Sequence, residues 1–145
     1  MSEWHQDAFT ITTDPARLDL DVIHTLLHEQ SYWAQNRSKA VQQKANAGSL
    51  CFGLYHGTQQ IGFARVVTDY ASFAWLCDVI IAPEFRKRGL SKWLVRCITT
   101  CDELKGLRRM VLLTKDAHTL YQKYGGFKPQ TMPERWLERL GPEGT

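Results

Sequence analysis

The 145-residue chain is 43% hydrophobic and 23% charged, with a formal net charge of +3. That is one domain's worth of chain, enough to bury a sizeable core, and a single domain over 1–145 is expected. The charge is too mild for the basic stripe of a nucleic-acid binder, no apolar run approaches a membrane span, and the polar first seven residues hold no signal-peptide core, so the expected location is cytoplasmic, with neither nucleic acid nor membrane as partner.

Residues 9–12 (Phe-Thr-Ile-Thr) read as a first strand, ended by Asp14-Pro15. Asp19 or Asp21 then caps a helix with Leu20, Ile23, Leu26 and Leu27 on one side. His24 and His28, one turn apart, fall on its surface. The turn at 31–36 holds two adjacent large aromatics, Tyr32 and Trp33, and a polar second helix over 37–46 ends near Gly48. Strands over 49–56 and 61–68 flank a hairpin turn at 57–60, and a turn at 69–72 leads into a third strand over 73–81. These three form an antiparallel meander.

Asp78 is the one ionisable group in a strand otherwise made of Trp75, Leu76, Cys77, Val79 and Ile80. Unpaired, it would be costly to bury, so it must pair, face a cleft, or titrate upward. Arg65 on the neighbouring strand is one partner, which would make Asp78 structural.

The next segment joins that strand, stopped by Pro83, to a helix whose Leu90, Trp93, Leu94, Cys97, Ile98 and Cys101 share one face. A helix start leaves backbone N–H groups without partners and carries partial positive charge. Chains usually answer with a polar cap and acidic residues; here stand Arg86, Lys87, Arg88 and Gly89. Open amides, no Cβ at Gly89 and surplus positive charge describe a seat for a phosphate anion. A solvated basic turn, with Gly89 present for its backbone angles, is the alternative on these residues alone.

A loop at 102–106 then leads to a buried strand over 109–114, and strand, helix, strand implies a parallel, right-handed crossover. Ligands sit beyond the carboxyl ends of such strands, which places Ile81, the basic turn and Thr114 around one opening. Asp116 is expected to cap a last helix over 117–124, stopped by Gly125-Gly126 before Phe127. The tail, 132–145, reads as short helical or irregular. Cys51, Cys77, Cys97 and Cys101 make no recognisable metal spacing; three sit in apolar strands or on the buried helix face, where a thiol acts as a small hydrophobe.

The run Arg86-Lys87-Arg88-Gly89-Leu90-Ser91, following a strand and Pro83, resembles the acyl-CoA signature of the GNAT N-acetyltransferases, Gln/Arg-x-x-Gly-x-Gly/Ala, with Ser91 and Lys87 standing where smaller residues are usual. Downstream, Ala117, Tyr121, Gly126 and Phe127 resemble the family segment Ala-x-x-x-Tyr-x-x-x-Gly-Phe, with one additional Gly before Phe127. The resemblance implies an α/β fold, a mixed sheet with an antiparallel front half and a splayed parallel pair flanked by helices. It implies acetyl-CoA as co-substrate, without metal, and a small-molecule or peptide amine as acceptor; it leaves a homodimer open. Pantetheine would bond main-chain groups of Val79, Ile80 and Ile81. The pyrophosphate would sit on the turn from Arg86 through Lys87, Arg88, Gly89 and Leu90 to Ser91, with Thr114, Ala117 and Tyr124 nearby. Tyr32, Trp33 and Arg65 would border the acceptor, unless the two aromatics simply pack beneath the helices. The amine, deprotonated through water or Asp78, would attack a carbonyl polarised by an amide near Val79, and Tyr121 would protonate the departing thiolate. A sensor that binds acyl-CoA without turnover is the alternative reading, and a nucleic-acid module the third.

Overall fold

The computed structural model describes residues 1–142. They form, in order, β1 (Glu3–Gln6), β2 (Phe9–Thr12), α1 (Leu20–Gln30), α2 (Lys39–Ala47), β3 (Leu50–His56), β4 (Gln59–Thr68), β5 (Phe73–Ile81), α3 (Leu90–Thr100), β6 (Arg109–Leu112) and α4 (His118–Gly125). The strands make one sheet in sequential order, antiparallel throughout except for the parallel β5–β6 pair. This is the mixed α/β sheet that the sequence implies.

Apolar periodicity decides which face each helix covers. Leu90, Leu94, Cys97 and Ile98 of α3, with Cys101 at its C-cap, are buried against Val66, Ala74 and Leu76 on one face of the sheet, as the spacing predicts. Val95, which the spacing omits, is buried as well, whereas Trp93 is half-buried. On the other face Ile23 and Leu27 of α1 pack with Cys51, Phe63 and Ile80. No described helix is long and apolar enough to cross a membrane.

Five expectations change. β1 is absent from the sequence reading because its side chains are mostly exposed and leave no alternation to read; it pairs with β2 through a turn in which Asp7 takes a φ of 53°. α2 begins at Lys39 behind a Ser38 cap, whose hydroxyl accepts from the Val41 amide at 3.2 Å, so Arg37 lies in the preceding turn. The β3–β4 hairpin turns on Gly57 and Thr58 alone, with Gly57 at a φ of 61°. β6 is a four-residue, half-exposed edge strand rather than a buried one over 109–114, and Leu113 beyond it is 83% exposed. Asp116 does not cap α4; the Ala117 amide is taken by the Thr114 hydroxyl at 3.0 Å.

The additional Gly before Phe127 has a physical reason. A Cβ on Gly125 would come within 2.9 Å of Val95 and 2.8 Å of the Phe127 ring, so α4 packs on α3 through the bare backbone. Gly126 then takes a φ of 71° as the left-handed cap. Two glycines serve two functions, close approach and helix termination. No described strand follows Phe127; the tail holds one 3-10 turn, Pro133–Arg135, and is exposed from 128 to 142. The rest of the expected tail segment, 143–145, lies outside the described residues.

Candidate active site

Parallel pairing of β5 with β6 runs only from Phe73↔Arg109 to Leu76↔Leu112. Beyond it β6 ends while β5 continues to Ile81 along β4, and a cleft of about 850 Å³ opens where the strands part. Its walls are β5 from Trp75 to Ile81, the chain from Leu112 to Ala117, Leu120 and Tyr121 of α4, and Tyr32, Trp33, Arg37, Arg65, Arg86 and Ser91.

The β5 wall is irregular. Phe63 pairs with Ile80 and Arg65 with Cys77, so Asp78 and Val79 together oppose Ala64. Such a bulge bends a strand and re-aims side chains. Asp78 takes a φ of 54°, a conformation that Asp tolerates better than most residues. The bulge turns Asp78 to the same face as Arg65.

There the Asp78 carboxylate is wholly enclosed, its side chain 0% exposed. Arg65 Nε donates to Oδ2 at 2.8 Å, Arg37 Nη1 to Oδ2 at 2.7 Å, and Trp33 Nε1 to Oδ1 at 3.0 Å. The turn that brings Arg37 inward is itself held in place. His24 Nε2 donates to the Arg37 carbonyl at 3.0 Å, His28 Nδ1 to the Gln35 carbonyl at 2.6 Å, and Arg37 Nη1 also reaches the buried Gln42 amide oxygen at 2.8 Å. Burial alone would push the Asp78 carboxyl up; the hydrogen bonds and charges of Arg65 and Arg37 outweigh it and hold the group below the usual carboxylate range. Of the two roles open to Asp78 in the sequence, this geometry favours the paired one. A carboxylate that is sealed, doubly charge-paired and hard to protonate is a poor general base.

Beyond the carboxyl end of β5, α3 begins with Gly89 at a φ of 76°, no side-chain cap and no acidic residue in its first turn. The amides of Leu90, Ser91 and Lys92 find no acceptor among the described residues. Nothing lies within 4 Å of a Cβ placed on Gly89, so the backbone is open to approach. The cations divide. Arg86 Nε donates to the Ile81 carbonyl at 3.0 Å, Arg88 lies over the Phe85 ring at 5.2 Å, and Lys87 takes a φ of 63°. That φ is the reason a smaller residue is usual at Lys87. Leu90 is buried, which leaves only its backbone for a ligand.

On the facing wall Tyr121 is 9% exposed, with Phe127 edge-on at 6.0 Å between centroids. Burial, with a smaller contribution from Tyr32, pushes its phenol up to about 12. No side chain or carbonyl among the described residues bonds its hydroxyl, and no buried side-chain oxygen is left without a partner, so the hydroxyl opens on the cleft. Tyr32 bridges the cleft mouth: its hydroxyl accepts from the Lys115 amide at 3.1 Å, and the Lys115 ammonium lies 5.4 Å from its ring centroid. Cys77 also lines the cleft, its thiol pushed up to about 11 by burial.

The cleft thus gathers Asp78, Val79, Ile80, Ile81, Arg86, Ser91, Thr114, Ala117, Tyr121, Tyr32, Trp33 and Arg65. Tyr124 lies outside the cleft wall, on the side of α4 that meets α3, its ring beside Lys92, Arg96 and Lys123. Lys87, Arg88, Gly89 and Leu90 are in the adjoining loop and helix start, outside the cleft wall. Sequence reasoning missed Arg37, Trp75 and Lys115. Arg37 had a signal in the counter-charge that a buried Asp78 requires. Among the described residues no three His, Cys, Asp or Glu side chains group as a metal site would need.

A sequential mixed sheet, parted at its one parallel pair and followed by an uncapped helix start, has the architecture of the GNAT acetyltransferases. The model of the acetyltransferase (GNAT) family matches residues 3–127. An inferred acetyltransferase of Gibberella zeae is 32% identical over 147 residues, covering 86% of this chain and 82% of its own. An inferred GNAT-family acetyltransferase from Xanthomonas campestris superposes with a TM-score of 0.88 at 43% identity, over 92% of this chain and 94% of that one. An acetyltransferase assigned in Clostridium acetobutylicum and solved with acetyl-CoA shares the fold alone, with a TM-score of 0.63 at 13% identity over 91% and 94% of the two chains. The chain belongs to the GNAT acetyltransferase family.

Proposed function

We propose that the protein transfers an acetyl group from acetyl-CoA to a primary amine by direct attack. The observation that carries this is the parting of β5 and β6 between an uncapped, unobstructed helix start and the Tyr121 hydroxyl. The donor fits the residues present: open amides and a bare Gly89 suit a pyrophosphate, and the free edge of β5 at Val79 to Ile81 offers main-chain groups to an extended amide-bearing arm. Bound there, acetyl-CoA supplies an activated thioester acyl group.

The chain's own contributions follow from position. An amide near Val79 polarises the acyl carbonyl. Tyr121, protonated throughout the physiological range, hands its proton to the leaving sulfur. Its raised value makes it a weaker acid than free tyrosine, but a thiolate in the same desolvated wall is a stronger base for the same reason. Asp78 holds Arg37, Arg65 and Trp33 in place, and the amine loses its proton through water. Cys77, kept neutral beside the cleft, is no nucleophile, which favours direct attack over an acyl-enzyme.

Coenzyme A release measured over a panel of amines tests the reading, with Tyr121→Phe as the informative variant. The expected result is a fall in kcat of at least about tenfold, with acetyl-CoA affinity and melting temperature nearly unchanged. Wild-type turnover in the Phe variant, under conditions where chemistry limits, removes Tyr121 from the role. Binding of acetyl-CoA with no turnover on any amine makes the protein a sensor.

Tyr32 and Trp33 are proposed as acceptor walls, and their bonds separate them. Tyr32 is 54% exposed and bonds only across the cleft mouth, so Tyr32→Ala should raise the amine KM several-fold and leave folding intact. Trp33 donates to Asp78, so Trp33→Ala should lower stability as well. An unchanged KM in Tyr32→Ala would place the acceptor elsewhere.

A further inference from the structure

At the end of β6 away from the cleft, Arg108, Arg109 and Arg135 line a second cavity of about 470 Å³ with Gln130, Thr131 and Trp136. The two cavities share no residue. The Arg109 guanidinium lies 5.3 Å from the Trp136 ring centroid, which orients the planar group and leaves its N–H edge for a ligand. The backbone on both sides is tied down: the Arg108 amide donates to the Ser72 carbonyl at 3.1 Å, and the Arg135 amide to the Met132 carbonyl at 3.1 Å. Elsewhere the buried or half-buried arginines Arg37 and Arg65 hold a carboxylate. Among the described residues no carboxylate pairs with Arg108, Arg109 or Arg135.

Three like charges around one concavity repel one another, and the repulsion is relieved by an anion between them. Guanidinium forks match the oxygens of phosphate in pairs, and the Gln130 amide and Thr131 hydroxyl are neutral donors of the right kind for its remaining oxygens. The volume admits a phosphate or pyrophosphate with a small body attached. We propose that this cavity is a second anion site, for a phosphate group carried by a small molecule or free in solution, separate from the acyl-transfer cleft.

Isothermal titration calorimetry at low ionic strength tests it, with inorganic phosphate, pyrophosphate and ribose 5-phosphate as ligands. Wild type, Gly89→Glu, and the double variant Arg109→Ala/Arg135→Gln are compared. The expected result is a binding event that persists in Gly89→Glu and weakens at least about tenfold in the double variant. Acetyl-CoA should stabilise that double variant as it does wild type. Tighter binding of ribose 5-phosphate than of the inorganic anions identifies a phosphorylated metabolite; the reverse order identifies the free anion. Should the double variant fail to fold, Arg135→Gln alone, on the exposed tail, is expected to show the weakening. Binding lost in Gly89→Glu and intact in the arginine variants assigns the anion to the start of α3 and overturns the proposal, as does the absence of any binding to wild type.

Discussion

Gly89→Glu is expected to lose the thermal stabilisation that acetyl-CoA is proposed to give the wild-type protein. A ligand at a hundredfold excess over its dissociation constant stabilises by about 2.7 kcal/mol, and in a chain of this length that raises the melting temperature by roughly 5–10 °C. The substitution acts at the seat itself. It places a carboxylate beside the open amides of Leu90 and Ser91, where the helix dipole favours a phosphate. Because Gly89 sits at a φ of 76°, any side chain there also costs about 1–2 kcal/mol of backbone strain. Gly89→Asn separates the two effects, since Asn tolerates that conformation without charge and its Cβ meets nothing within 4 Å. The Asn variant should retain much of the acetyl-CoA shift and the Glu variant none. A full shift in Gly89→Glu would show that no phosphate rests on this turn.

Asp78→Ala carries the largest expected cost in stability. Removing the carboxylate leaves the Arg65 and Arg37 guanidiniums facing each other in a site where the former is 9% and the latter 16% exposed. Breaking a buried pair in this way costs roughly 3–5 kcal/mol, a large share of the 5–15 kcal/mol that holds a typical domain folded. The effect should appear as a fall in the denaturation midpoint at constant m-value. Acid reproduces it. The Asp78 carboxyl is held below its ordinary value of 3.8, so its contribution is present above that value and is lost as pH falls through the lowered one. Asp78→Asn distinguishes structure from catalysis: wild-type stability with lost turnover would make Asp78 the base after all, against the geometry of its partners.

What the sequence revealed, and what it hid, divides along physical lines. The helix α3 and the meander β3–β5 were legible because their apolar spacing reports burial directly, and Leu94, Ile98 and Phe63 are where that spacing puts them. The bulge at Asp78 was not legible, since it depends on how two strands slip past one another. Arg65 was visible as a partner only because it lies on the adjacent strand. Arg37, from a turn held by two histidines on α1, makes the shorter bond to Asp78, and nothing in the spacing of residues 24, 28 and 37 indicates it. The two edge strands were misread in opposite ways: the exposed side chains of β1 leave no pattern, whereas the apolar run of β6 suggests a burial that an edge strand does not provide. Asp116 does not cap α4, which starts behind Ala117 with no side-chain cap, because loop geometry, not composition, decides which polar atom reaches a helix start.

The cysteines bear on how the chemistry can be watched. Burial pushes the Cys51 thiol up to about 12 and those of Cys77, Cys97 and Cys101 up to about 11. At neutral pH each is therefore almost entirely in its unreactive protonated form, and Cys51, Cys97 and Cys101 are also shielded by the core. A chromogenic disulfide added to a working mixture would thus report newly liberated coenzyme thiol over a faint protein blank. The proposed transfer could then be followed continuously, with no reducing agent present to consume the dye.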